Sequence, residues 1–268
     1  MDLNTIEKIQ KVIWDSDNVV MVSGSEVFRE GGLNGLRAEH IVYDIEQKYG
    51  FSGEEIVTSQ IYSRQVAMFF EYYKDIILNK EKPDNTTVYD VVAKLEKEGK
   101  ITNIVTRMVY DFYEDAGCEH IVKLYGSVEE NRCPACGKIY NSKYIKQAKG
   151  TPKCSECGVI LRPGFSLFGE QIDNKRLTHA VDAIEGADVL LVAGISLNSF
   201  GWQNMLRYYD KDKLVLINTE EKIGDERANY CLYGSISDIF AKLAKEAEKN
   251  KKEESAKKAK KSDSKKSK

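Results

Sequence analysis

No apolar run in this chain approaches the ~20 residues that a helix needs to cross a bilayer, which excludes a membrane-spanning helix. The first residues, Met1 to Asn4, also lack the basic patch and apolar stretch of a secretory signal. No internal repeat is visible. These absences predict a cytoplasmic protein, and 268 residues suffice for one large domain with a small module.

The chain has no excess of positive charge except in its last twenty residues. The chain carries a net charge of −2, but residues 249–268 hold ten Lys against Glu253, Glu254 and Asp263, a net charge of +7. Residues 1–248 therefore carry −9, which makes them a poor general binder of nucleic acid. The tail has no large apolar residue, so we expect residues 249–268 to be disordered and to be the only part that meets an anionic surface.

Short apolar runs alternate with amphipathic segments along most of the chain. The runs too short for a helix are predicted strands, at 19–22, 101–106, 189–192, 214–217 and 230–233. The segments with helical spacing are predicted helices, at 2–17, 36–49, 54–79, 87–98, 173–186, 201–209 and 236–248. This alternation predicts an α/β fold, a parallel sheet with helices on both faces.

Sheets of this kind bind ligands at the carboxyl ends of their strands. The loops that follow Val22, Thr106, Val192 and Ile217 are therefore the candidate ligand-binding segments. Glycines and short polar residues in these loops also suit ordinary turns, so turn formation and ligand contact are equally compatible with them.

Four of the six cysteines form two C-x-x-C pairs, each followed by Gly, with seventeen residues between the pairs. They are Cys133, Cys136, Cys154 and Cys157. Four thiolates predict a closed tetrahedral site for structural Zn²⁺, and a site without an open position does not activate water. Chance cysteines or two redox pairs are the alternatives, but paired knuckles at this spacing favour the metal.

Five short motifs lie on either side of these cysteines: Val22-Ser23-Gly24-Ser25, Leu124-Tyr125-Gly126-Ser127-Val128, Arg162 to Glu170, Gly194-Ile195-Ser196-Leu197 and Ile217-Asn218. They resemble motifs of the sirtuin family, in the same order the T-G-A-G turn, L-H-G-S-V, R-P-x-x-x-x-F-G-E, G-T-S-L and I-N. The similarity extends from about residue 17 to about residue 243.

Sirtuins are NAD-dependent protein lysine deacylases, and the resemblance implies a Rossmann-like domain with a small zinc-ribbon module. The implied division gives 1–126 and 164–248 to the Rossmann-like NAD-binding-type domain and 127–163 to the ribbon. NAD and an acyl-lysine peptide or protein would meet in the cleft between them. The motifs place candidate cofactor contacts at Gly24, Arg37, Gly194, Ser196 and Asn218.

Most of the polar residues that carry the family's chemistry are replaced. Tyr125 stands at the position of the general-base His, and a phenol with a pKa of about 10 is a poor base at neutral pH. Arg107, Met108, Val109 and Tyr110 replace Q-N-I-D, so the amide and carboxylate are lost. Glu26 replaces the second Gly of the phosphate turn and adds a negative charge beside an anionic ligand.

Two functions are compatible with this pattern. The favoured one is a degenerate sirtuin, a zinc-containing binding or regulatory module with weak or no deacylase activity, because catalytic residues that act as a unit fail together. The alternative is an active NAD-dependent deacylase or ADP-ribosyltransferase in which Tyr125 or Glu26 has taken a new role. A third hypothesis, nucleic-acid binding through the ribbon and tail, is disfavoured by the acidic body.

Overall fold

The computed structural model describes residues 3–33, 39–80 and 82–244. Within these ranges the chain forms a six-stranded parallel sheet with helices on both faces, together with a small cysteine-bearing module. The predicted α/β class is confirmed. The Lys-rich tail predicted to be disordered lies outside the described residues.

The sheet has the strand order β3-β2-β1-β6-β7-β8, and every neighbouring pair is parallel. The strands are β1 (Val19–Ser23), β2 (Ile101–Thr106), β3 (Ile121–Lys123), β6 (Val189–Ala193), β7 (Leu214–Asn218) and β8 (Tyr230–Tyr233). Strands β4 (Asn131–Arg132) and β5 (Ile139–Tyr140) form a separate antiparallel pair. The order reverses between β1 and β6, so a ligand crevice is expected at the carboxyl ends of those two strands.

Strand β1 shows why the sequence folds into a sheet with helices on both faces. All five of its residues are buried, and their side chains alternate between the two faces. Val19 and Met21 join the core on one face, whereas Val20 and Val22 join the core on the other. An uninterrupted apolar run is what a parallel strand with helices on both sides requires.

The helices divide between these two faces and the small module. They are α1 (Leu3–Trp14), α2 (Ser25–Glu30), α3 (Glu39–Tyr49), α4 (Gly53–Ile56), α5 (Ser59–Arg64), α6 (Val66–Tyr72), a π-helical turn (Tyr73–Ile77), α7 (Thr87–Lys97), α8 (Phe112–Asp115), α9 (Ser142–Gln147), α10 (Asn174–Gly186), α11 (Phe200–Leu206), a 3₁₀ turn (Asp225–Arg227) and α12 (236–244). Helices α1, α7 and α12 cover one face, and α10 and α11 cover the other. No helix in the described part of the chain is long and apolar enough to cross a membrane.

The prediction of one helix over 54–79 is wrong, because the segment is broken into α4, α5, α6 and the π-helical turn. Capping side chains fix the start of α4 and the break between α4 and α5. Ser52 and Glu55 form a capping box at the start of α4, and Thr58 caps α5 by accepting from the Ile61 N–H. Strand β3 and helix α2 were not predicted, since three and six residues are too few for a clear periodic pattern.

The helices between residues 45 and 78 share a hydrophobic core with the cysteine module. Hydrogen bonds reinforce this packing: the Tyr73 hydroxyl donates to Asn131 Oδ1 at 2.9 Å, and Lys74 Nζ donates to the Ala148 carbonyl at 2.6 Å. This helical segment and the cysteine module therefore form one packed unit, called the helical body below, which faces the sheet. The boundaries of the ribbon module at residues 127 and 163 remain a prediction from the sequence.

Candidate functional site

A cavity of about 430 Å³ lies at the carboxyl ends of β1 and β2, between the sheet and the helical body. Its walls include residues 23–25 at the end of β1, residues 106–110 at the end of β2, and the side chains of Tyr125, Phe165, Ser166, Phe168 and Trp202. Two of the four loops expected to bind ligand, those after β1 and β2, meet here directly. The loop after β6 contributes through Ser199 and Trp202 further along the chain.

Two backbone hydrogen bonds join the turn after β1 to the residues at the end of β6. The Gly24 N–H donates to the Ala193 carbonyl at 2.9 Å, and the Glu26 N–H donates to the Gly194 carbonyl at 3.3 Å. A Cβ on Gly24 would lie 2.2 Å from both the Gly194 oxygen and Ile195 Cγ1, so only Gly fits. Two backbone amides of the predicted phosphate turn are therefore already bonded within the protein.

The Glu26 side chain is the most distinctive feature of this turn. Only 7% of Glu26 is exposed, and its carboxylate accepts from Thr219 Oγ1 at 3.0 Å and from the Thr219 N–H at 3.4 Å. Lys222 Nζ donates to the other oxygen, and Arg29 lies 3.7 Å from it. Burial alone would raise the pKa of Glu26, but hydrogen bonds from Lys222 and Thr219 hold it below its ordinary value. The turn thus carries a buried, ionised carboxylate.

Asn218, at the end of β7, is clamped to the loop after β6. Its Nδ2 donates to the Ile195 carbonyl at 2.9 Å, and its Oδ1 accepts from the Ile195 N–H at 3.0 Å. The side chain is fully buried. Gly194 has a φ of +68°, and a Cβ there would lie 2.8 Å from the Val27 nitrogen. In this arrangement the Asn218 amide fixes the backbone of a neighbouring loop.

The residues after β2 pack as an apolar wall. The Tyr110 hydroxyl donates to the Ile77 carbonyl at 3.1 Å, and its ring stacks on Phe28 and Phe112 at centroid distances of 5.8 and 5.3 Å. Burial raises the pKa of Tyr110 well above its ordinary value. The phenol therefore stays neutral, and its only proton donor is bonded to backbone. Met108 lines the same wall, and its sulfur lies 4.0 Å from the Tyr89 hydroxyl.

Arg107 is the cation of this wall. Its guanidinium carbon lies 4.4 Å from the Trp202 ring centroid and 5.7 Å from that of Tyr125, and one Nη donates to the Gly201 carbonyl. Its Nε is buried and has no hydrogen-bond partner among the described residues. Burial lowers the pKa of Arg107, although a guanidinium remains charged at neutral pH.

A strap formed by residues 162–170 closes the far side of the cavity. The Ser166 N–H donates to the Tyr125 carbonyl at 2.7 Å, and the Phe168 N–H donates to the Val57 carbonyl at 2.9 Å. The ends of the strap are tied by an Arg162–Glu170 ion pair. This ion pair explains structurally why the sequence motif carries Arg and Glu at its two ends.

The four cysteines of the C-x-x-C pairs come together. Their sulfurs all lie within 4.8 Å of one another, with Cys133 and Cys157 at 3.3 Å and Cys136 and Cys154 at 3.5 Å. A tetrahedral zinc thiolate with Zn–S bonds of about 2.3 Å places its sulfurs about 3.8 Å apart, so the cage fits this ion. The glycine after each pair, at φ of +75° and +71°, permits the tight turn that aims the sulfurs inward.

The predicted cofactor residues fall into three groups. Gly24 and the catalytic-position Tyr125 line the cavity, whereas Gly194, Ser196 and Asn218 are not among the described residues that line it. Arg37 lies outside the described residues. The sequence analysis did not identify the carboxylate partners Thr219 and Lys222, which lie in an ordinary charged loop, or the cavity residues Lys80 and Trp202.

Comparison with known proteins supports the resemblance seen in the motifs. Residues 23–200 match the Sir2 family model. An NAD-dependent protein deacetylase of Clostridium perfringens (strain 13 / Type A) is 32% identical over 89% of this chain and 98% of that protein. One from Clostridium acetobutylicum is 29% identical over 88% and 97%.

Solved structures agree. A Sir2 homologue crystallised with NAD superimposes with a TM-score of 0.76 at 26% identity, covering 91% of this chain and 94% of that one. A second structure, from work on sirtuin substrate affinity, has a TM-score of 0.77 at 22% identity over 92% and 99%. The chain therefore belongs to the Sir2 family.

Proposed function

We propose that this chain is a Sir2-family protein whose nucleotide site is closed by its own carboxylate, so that it acts as a binding or regulatory module with weak or no deacylase activity. The observation that carries the proposal is the position of Glu26. Its carboxylate is buried in the turn after β1 and held by Thr219 and Lys222. A dinucleotide would have to bring its pyrophosphate to the same turn.

Electrostatics at this turn oppose a phosphate. Like charges about 4 Å apart repel by on the order of 1–4 kcal/mol, depending on the local dielectric. The Lys222 ammonium that could offset a phosphate is already paired with Glu26. The Gly24 and Glu26 amides are bonded to the loop after β6 and do not point freely at a ligand. The residues present therefore do not fit a bound pyrophosphate in this arrangement.

The cavity itself is equally unsuited to the other end of the dinucleotide. The nicotinamide ring of NAD is a cation, and the described cavity lining contains Arg107 and Lys80 but no Asp or Glu. Tyr125, Met108 and Tyr110 supply neither a base near neutral pH nor a carboxylate. The Tyr110 hydroxyl is bonded to Ile77 and is not available to order a ribose or a water.

The metal has a structural role in this proposal. The four thiolates would surround Zn²⁺ completely and leave no position for water. Cys133 and Cys154 lie within the hydrophobic core that also holds the helices between residues 45 and 78. Bound zinc would therefore stabilise the whole helical body beside the cavity. A protein or acyl-lysine peptide would bind in the cleft between this body and the sheet, in the cytoplasm.

A direct test is a deacylation assay on acetyl-lysine peptides with and without NAD. The Clostridium perfringens relative, assayed at the same concentration, is the positive control. We expect turnover at least about a thousandfold below that relative, which corresponds to roughly 4 kcal/mol of lost transition-state stabilisation. NAD-dependent release of the acyl group at a rate similar to that of the relative would contradict the proposal.

A second candidate function is an active deacylase or ADP-ribosyltransferase with altered catalytic groups. The extent of similarity to proteins named as deacetylases favours it, because 98% of the Clostridium perfringens protein is matched. Tyr125 lines the cavity and would then take part in the reaction. In that case Tyr125→Phe should abolish the turnover of the purified protein, and unchanged turnover would remove Tyr125 from the mechanism.

A further inference from the structure

The cavity beside the sheet has the size and composition of a small-molecule site. Its volume of about 430 Å³ lies within the range of roughly 300–1,000 Å³ that such sites occupy. Most of the wall is apolar or aromatic: the large side chains include Phe28, Ile76, Met108, Phe165 and Phe168. A wall of this kind buries the body of a ligand but does not orient it.

The orienting group is Arg107. Its guanidinium carbon lies over the rings of Trp202 and Tyr125, at 4.4 and 5.7 Å from their centroids, which holds the cation at the cavity wall. Among the described residues, the guanidinium donates a hydrogen bond to the Gly201 carbonyl. A guanidinium has five N–H donors in a fixed fork that matches a carboxylate.

Arg107 is also incompletely satisfied. Its Nε is buried without a hydrogen-bond partner among the described residues, and the described cavity lining offers it no carboxylate. An unpartnered buried donor costs about 1–3 kcal/mol, and more for a charged group. A bound anion would supply the guanidinium with the opposite charge that the described cavity lining lacks. No acidic residue in the described lining would repel such an anion.

We propose that this cavity binds a small organic anion, a carboxylate on an apolar body, with the carboxylate held by the Arg107 guanidinium. The inference rests on the proposed function in one respect, since a closed nucleotide site leaves the cavity free for another ligand. The substitution of Arg107, Met108 and Tyr110 for the family's polar Q-N-I-D residues accounts for the change in ligand class, because it replaces an amide and a carboxylate with a cation and apolar surface.

The test is calorimetric or ligand-detected NMR titration of the zinc-loaded full chain with benzoate and hexanoate, each beside its neutral amide. We expect the carboxylates to bind at least about tenfold more tightly than benzamide and hexanamide. Arg107→Gln should weaken carboxylate binding by at least about tenfold and leave amide binding unchanged. Arg107→Lys, which keeps the charge but loses the fork, should give an intermediate loss.

The matched control is Arg207→Gln, because Arg207 also lies over an aromatic ring, that of Tyr208, but is exposed and outside the cavity. It should leave carboxylate binding unchanged. Equal affinity for acid and amide, an equal effect of both Gln variants, or no binding of either carboxylate at millimolar concentration would overturn the inference. If Arg107→Gln fails to fold, the acid-over-amide ratio and the Lys variant decide it.

These outcomes are distinct from failure of the proposed function. NAD-dependent deacylation by the chain would contradict the closed nucleotide site even if benzoate bound at Arg107. Competition of NAD with benzoate would show that both ligands reach the same cavity, which would contradict the closed site and leave the anion site intact.

Discussion

Replacing Glu26 by Gly should open the nucleotide site of this protein. In the structure the Glu26 carboxylate is buried and accepts hydrogen bonds from Thr219 at 3.0 and 3.4 Å and from Lys222. Removal of the side chain would leave the Lys222 ammonium and the Thr219 donors without their anion. A phosphate could then take the place of the carboxylate, since it accepts the same hydrogen bonds.

The size of the effect follows from the charge that is removed. Repulsion of on the order of 1–4 kcal/mol corresponds to a factor of roughly 5 to 1,000 in affinity. We therefore expect Glu26→Gly to raise the affinity for ADP-ribose by about tenfold to several hundredfold. Glu26→Gln, which removes the charge but keeps the bulk, should give a smaller gain. The free variant should be less stable, because Gly in a helix costs about 1 kcal/mol and the partly buried Lys222 ammonium loses its partner.

The assay is calorimetric titration with ADP-ribose, with thermal unfolding as a second readout. Glu185→Gly is the matched control, since it removes an exposed carboxylate from helix α10 far from the turn. ADP-ribose should raise the Tm of Glu26→Gly and leave that of the control unchanged. If Glu26→Gly binds ADP-ribose no better than the original chain does, Glu26 does not close the site.

Three further predictions follow from the zinc cage, the ionised carboxylate and the base position. Cys133→Ser should abolish the binding of about one zinc per chain and lower the Tm, whereas Cys231→Ser, outside the cage, should retain the metal, as measured by a colorimetric zinc assay. Because the pKa of Glu26 is lowered on folding, its stabilisation is present above about pH 4.3 and is lost as the pH falls through the lower folded-state value. Urea unfolding should therefore show that Glu26→Gln is destabilised at neutral pH and that this difference shrinks in acid; a difference independent of pH would refute the pKa assignment. Tyr125→His alone should not restore NAD-dependent deacylation, because Met108 still replaces an amide, and appreciable peptide turnover by this variant would show that the other losses are tolerated.

Periodicity and apolar runs predicted the parallel sheet because the strands β1, β6 and β7 are buried on both faces and leave unbroken apolar runs in the sequence. Strand β3 escaped prediction because its three half-buried residues carry no such signal. The start of α4 and the break between α4 and α5 depend on single capping residues, Ser52 and Thr58, which a hydrophobic pattern does not register.

The candidate site was predicted unevenly for a similar reason. The cysteines were found because a metal site depends on local spacing, which the sequence shows directly. Glu26 was predicted to repel a phosphate, but its partners Thr219 and Lys222 lie almost two hundred residues away, and only the sheet order brings them together. The environment of Arg107 likewise depends on Trp202, which comes from another loop.

Titration of the zinc-loaded chain with NAD, and with ADP-ribose alongside, measures most directly whether the nucleotide site is closed. We predict no heat of binding from either ligand at millimolar concentration, because Glu26 occupies the turn that would hold the pyrophosphate. Micromolar binding of NAD would contradict this and would mean that the Glu26 carboxylate moves aside for the cofactor.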